Sequence, residues 1–88
     1  MSYRVGLTIR AQRELDELPQ HIQRRVLRWL DLLADDPRRP GSKKLAGHEA
    51  LHRIHASRDY VIVYAIRDKE VLVLIVRVAP RKDVYRGL

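Results

Sequence analysis

The stretch YVIVYAIRDKEVLVLIVRV, residues 60–78, decides how this chain folds. Two apolar runs, 60–66 and 70–78, flank Arg67-Asp68-Lys69, and both are rich in Val and Ile, whose branched side chains suit a pleated surface. Apolar residues fall on both faces of each run, which predicts central strands covered on at least one side. A third run, at about 50–56, precedes them across Ser57-Arg58-Asp59. Turns this short join antiparallel neighbours, so the second half reads as a three-strand meander.

Upstream, PRRPGS (37–42) is a breaker cluster, and before it the apolar period changes. Ile22, Val26, Trp29, Leu30 and Leu33 fall at i, i+4, i+7, i+8 and i+11, one face of a helix, with Arg24, Arg25, Arg28 and Asp31 on the other side. Pro19 suits the first turn of that helix and ends a shorter one at about 9–18, because the residue before a proline avoids helical geometry. Thr8 reads as the N-cap of the first helix, with Ala11 and Gln12 only approximating a capping box. Tyr3, Val5 and Leu7 alternate with Arg4 and Gly6 as a short strand. The order β-α-α-β-β-β predicts one α+β domain over residues 1–88, with helices on one sheet face and the other face open.

Composition narrows the chemistry. The 88 residues include no cysteine, which removes disulfides, thiolate metal sites and a cysteine nucleophile. No apolar run is long enough to span a bilayer and the N-terminus lacks a signal peptide's apolar block, so a cytoplasmic protein without membrane contact is expected. Residues 1–37 carry six Arg against six acidic groups, whereas residues 38–88 carry eight Arg and four Lys against five, the whole of the +7 net charge. Charge gathered in one half steers a polyanion, nucleic acid above all.

On the first strand of the meander, Leu51, Arg53 and His55 share one face and His52, Ile54 and Ala56 the other. A guanidinium and an imidazole two residues apart could hold a phosphate beside a proton carrier; spacing alone fits solvated edge residues equally well. Arg77, Arg81, Lys82, Tyr85 and Arg86 crowd the C-terminal segment, where Arg suits phosphate and Tyr can stack on a base. Lys43 and Lys44 add charge ahead of the strands. The four histidines are scattered, with no metal-ligand spacing, phosphate-binding glycine loop or nucleophile elbow, so no metal or cofactor is expected. Cleavage of RNA by its own 2′-hydroxyl fits such an inventory: the substrate brings the nucleophile, and the protein supplies cations and proton carriers. Simple backbone binding would use the same residues.

These residues carry a resemblance. The opening strand, the helical hairpin, Lys44-Leu45 with Gly47, LHRI at 51–54, Asp59-Tyr60 leading into Val63-Tyr64, and the closing Arg77-Val78 and Arg81-Lys82-Asp83-Val84-Tyr85 resemble toxins of the RelE/ParE superfamily over nearly the whole chain. The resemblance implies a microbial RNase-like fold and, for RelE-like members, metal-free cleavage of messenger RNA in the ribosomal A site, silenced by a tightly bound antitoxin. It implies catalytic roles for Arg53, His55, Arg81 and Tyr85: the two arginines stabilising a phosphorane, Tyr85 stacking on or orienting the substrate. His55 leads as general base, since imidazole changes charge nearest neutral pH. Lys43, Lys44, Arg58, Arg77 and Lys82 would meet RNA or the ribosome. A small acidic RelB-like antitoxin is the expected partner, with operator DNA bound only by the toxin–antitoxin complex.

Two departures bear on function. Relatives often carry Arg directly after the middle-strand tyrosine, where this chain has Val61, and Gly-His before the tail arginine, where it has Ala79-Pro80. Arg58 is the nearest cation to the first. A ParE-like gyrase inhibitor and a catalytically weak toxin acting as antitoxin-bound co-repressor therefore stand beside the nuclease.

Overall fold

The computed structural model describes residues 2–88. Strand β1 (Arg4–Leu7) leads into helices α1 (Ile9–Glu17) and α2 (Gln20–Asp35), followed by β2 (Lys43–Leu45), β3 (His48–His55), β4 (Tyr60–Arg67) and β5 (Leu72–Pro80). The five strands lie in the order β1-β5-β4-β3-β2, with β1 parallel to β5 and every other pair antiparallel. The α+β expectation and the meander hold. The short edge strand β2 is additional, too brief for its period to show in the sequence.

Local chemistry sets the helix ends. Thr8 accepts the Ala11 N–H at 3.1 Å and donates to the Val76 carbonyl at 3.2 Å, so one side chain both caps α1 and ties it to β5. Thr8→Ala is expected to lower stability by about 1–2 kcal/mol in urea unfolding, and a loss below about 0.3 kcal/mol would count against that double role. Pro19 precedes the first turn of α2, and its carbonyl accepts from Ile22 and Gln23. Between β4 and β5, Asp68–Glu70 forms one 3-10 turn and Val71 adopts φ +51°, so β5 begins at Leu72 rather than at 70.

The sheet is covered twice. On one face, Ala11 and Leu15 of α1 and Ile22, Val26, Leu30 and Leu33 of α2 pack on Ile54, Ile62, Tyr64, Val73, Ile75 and Val78. The other face is not open as expected. Its Leu45, Val61, Val63 and Ala79 are buried beneath Val84 and Leu88 of the C-terminal segment, which forms turns instead of trailing into solvent. One irregularity sets up that cover. Val63 pairs with Arg77 but Tyr64 pairs with Ile75, leaving Val76 as an extra residue on β5. Such a bulge changes the phase of alternation, so Arg77 leaves the helix-side face of Val73 and Ile75 and turns toward the tail.

A candidate phosphate-binding cleft

Strand β3 presents its two faces as its alternation predicts. Ile54 and Ala56 are buried under the helices, while Arg53 and His55 lie half-buried on the tail face. On β2, Lys43 stands opposite Arg53 in register, and a shift between Lys44 and Leu45 brings Leu45 opposite His48. Beside them opens a shallow cleft of about 370 Å³ lined by Lys44, Leu45, Ala46, His48, Arg53, Tyr85 and Leu88. Arg53, an imidazole and a phenol border an apolar floor, while Lys44, in register with His52, stands at the sheet edge and also borders the helix-side depression of Arg38, Glu49 and His52.

Tyr85 reaches this cleft because the tail is fastened. Val84 is fully buried against β4 and β5. The Arg77 guanidinium donates from one nitrogen to the carbonyls of Asp83, Val84 and Arg86 at 3.0, 3.1 and 2.7 Å, and from its other two to the Glu14 carboxylate. Glu14 also accepts the Val78 N–H at 2.9 Å, satisfying the edge of β5 beyond the point where β1 ends. Arg77 is therefore no RNA-facing cation, as its place in the basic tail implied. It is 6% exposed, with its donors committed to Glu14 and the tail backbone.

The remaining cations spread around the tail. Arg81 and Lys82 line an adjoining groove with Asp59, Tyr60 and Pro80, where the Arg81 N–H donates to the Asp59 carbonyl at 2.7 Å. His55 lies one strand repeat, about 7 Å, from Arg53 on the same face and does not line the cleft. Arg58 is exposed in the β3–β4 turn. Of the four residues given catalytic roles, the structure thus joins Arg53 and Tyr85, adds Lys44, and leaves His55 and Arg81 on the periphery. His48 was not singled out by the sequence; only the irregular β2–β3 register, invisible before the strands are paired, carries it to the cleft. Val61 is fully buried beneath the tail, where an arginine would displace Val84.

On the helix side of β3, His52 stacks on Tyr64 with ring centroids 5.7 Å apart. Among the described residues its buried Nδ1 has no hydrogen-bond partner, and its pKa is lowered first by burial and then by Arg38 and Lys44. Asp68 nearby is held at about 2, against an ordinary 3.8, by hydrogen bonds from Arg38 and Tyr3. Both shifts favour the fold at higher pH, in separate windows. The His52 contribution is present above its ordinary value near 6.5 and lost as pH falls below it; that of Asp68 is lost between about 3.8 and 2. His52→Phe is expected to flatten the fall in urea midpoint between pH 6.5 and 5 and to weaken the acid limb only slightly, because the His52 charge is the smallest of the causes that lower Asp68. An unaltered slope between pH 6.5 and 5 would contradict the assignment.

With this geometry in view, the comparisons are consistent. The family model for the ParE toxin of the type II toxin–antitoxin system parDE matches residues 5–85. The chain belongs to the RelE/ParE superfamily of type II toxins. No curated protein matches it by sequence. Among solved structures, the toxin is similar to a chain of the toxin–antitoxin complex RelBE2 from Mycobacterium tuberculosis, at 29% identity and TM-score 0.82 over 92% of this chain and 100% of that one. A chain of the archaeal RelE–RelB complex from Pyrococcus horikoshii is also 29% identical, with TM-score 0.78 over 96% and 100% of the two chains. The isolated RelE toxin of E. coli is 25% identical, with TM-score 0.78 over 90% and 84%. Among the described residues, no helix of the toxin is long and apolar enough to cross a membrane.

Proposed function

We propose that this toxin cuts messenger RNA on the ribosome by activating the RNA's own 2′-hydroxyl. The observation that supports this reading is the convergence of Lys44, Arg53, His48 and Tyr85 on one shallow cleft. In the step proposed, the 2′-oxygen attacks the adjacent phosphorus as a base takes its proton. The P–O5′ bond then breaks and the 5′-oxygen receives a proton, leaving a 2′,3′-cyclic phosphate and a 5′-hydroxyl. Arg53 and Lys44 stabilise the doubly charged phosphorane, Tyr85 stacks on or orients a base, and the imidazoles at 48 and 55 are the proton carriers within reach of that face. Arg81 and Lys82 hold the strand as it leaves the cleft.

The toxin's partner is a small acidic antitoxin, whose charge complements the +7 of this chain. The relatives from M. tuberculosis and P. horikoshii are themselves in toxin–antitoxin and RelE–RelB complexes. Operator DNA would be met only through that complex.

Val61 favours a second reading. A buried valine where RelE-like toxins often carry a cation, together with the match to the ParE model, fits a toxin that inhibits gyrase and cuts no RNA. Primer extension on a translated message, after brief induction, separates the two. Breaks within codons on translated messages support the nuclease; intact messages with gyrase-linked DNA breaks overturn it. The absence of any growth effect overturns both in favour of a co-repressor.

A further inference from the structure

The helices carry charge that the neutral sum of residues 1–37 conceals. In that half, Glu14 is consumed by Arg77, and Asp31, Asp35 and Asp36 lie toward the C-terminal end of α2. The N-terminal half of the same helix bears His21, Arg24, Arg25 and Arg28, at i, i+3, i+4 and i+7, which is a single stripe. All four are exposed and together line a shallow depression. Among the described residues none of the three arginines forms an ion pair. The stripe is angled away from the buried row Ile22, Val26, Leu30 and Leu33, on the opposite side of the sheet from the Arg53–Tyr85 cleft.

We infer that this stripe is a second nucleic-acid surface, which holds the backbone of a double-stranded RNA segment while the cleft engages the strand to be cut. The choice of RNA rests on the nuclease reading; the choice of a phosphate backbone rests on the stripe itself. Residues 21–28 span about 10 Å of helix at 1.5 Å per residue, the length of about three phosphates along one strand of a duplex. Three guanidinium forks face three phosphates. Protein interfaces seat their arginines among aromatic and other apolar side chains, whereas this depression is lined by His21, Arg24, Arg25 and Arg28, with Leu27, 46% exposed, their neighbour in sequence. A surface of this kind reads charge spacing and not base sequence.

The test is the salt dependence of binding of the purified full chain to a hairpin with a double-stranded RNA stem. The triple variant Arg24→Gln, Arg25→Gln and Arg28→Gln removes the charge and keeps good helix formers, and an unchanged thermal melt verifies its fold. The expected result is a fall of about three in the slope of log affinity against log salt. An unchanged slope overturns the inference, as does loss of binding to a poly-glutamate peptide with RNA binding intact, which would place an acidic protein on the stripe. Because the assay reads binding and not cleavage, it separates the two claims. A reduced slope with uncut messages keeps the surface and removes the nuclease, and cut messages with an unchanged slope do the reverse.

Discussion

Replacing Arg77 with Met is expected to cost about 3–5 kcal/mol of stability, because it strands a nearly buried Glu14 carboxylate and leaves three tail carbonyls without their donor. Small domains have about 5–15 kcal/mol in all, so the variant should be partly unfolded at growth temperature. Urea denaturation measures the loss directly. Combining Arg77→Met with Glu14→Gln should recover part of it, since a neutral amide avoids the desolvation that a lone carboxylate suffers and still accepts the Val78 N–H, while the three tail carbonyls stay without their donor. The tail should still loosen in the double variant, moving Tyr85 from the cleft and lowering cleavage while the chain remains folded. A single-variant loss under about 1 kcal/mol would mean that Val84 and Leu88 hold the tail without the arginine.

The second large effect concerns chemistry. Arg53→Ala is expected to reduce message cleavage about 10²–10³-fold, the usual consequence of removing one donor aimed at a developing oxyanion. Arg53 is half-buried and, among the described residues, its side chain makes no ion pair, so the melting temperature should change little and antitoxin binding should persist. The contrast with Arg77 is diagnostic: one arginine costs turnover, the other costs structure. Cleavage unchanged in Arg53→Ala, measured by primer extension, would remove the cleft from the proposed reaction.

The fold was largely legible because its strongest signals are local. The apolar runs at 60–66 and 70–78, the period of Ile22 to Leu33 and the PRRPGS breaker each act within a dozen residues, and each marks the element it announces. Most of what escaped depends on contacts distant in sequence. The parallel pairing of β1 with β5 and the tail laid across Val61 and Val63 have no local signature; His48, only five residues before Arg53, escaped because the register shift between β2 and β3 has none either. Arg77 shows the difference most clearly. Read in a basic tail it belongs with the surface cations, yet the bulge at Val76 and a carboxylate 63 residues earlier turn it into an internal fastening. Summed charge misleads for a related reason: a helix sorts its charges in space, so a zero balance over 1–37 coexists with an arginine stripe.

The parallel strand pair carries a last consequence, for timing. Arg4 to Leu7 find their partners only at Leu72 to Ile75, and Tyr85 follows ten residues later. Contacts so distant in sequence close slowly and late. At about 5–20 residues per second, the 68 positions that separate Arg4 from Leu72 take about 3–14 s to synthesise, and through that time the sheet lacks an edge and the cleft lacks a wall. Under the nuclease reading proposed above, the toxin would then be harmless to the ribosome making it. The delay also gives an antitoxin time to be waiting when the last strand arrives.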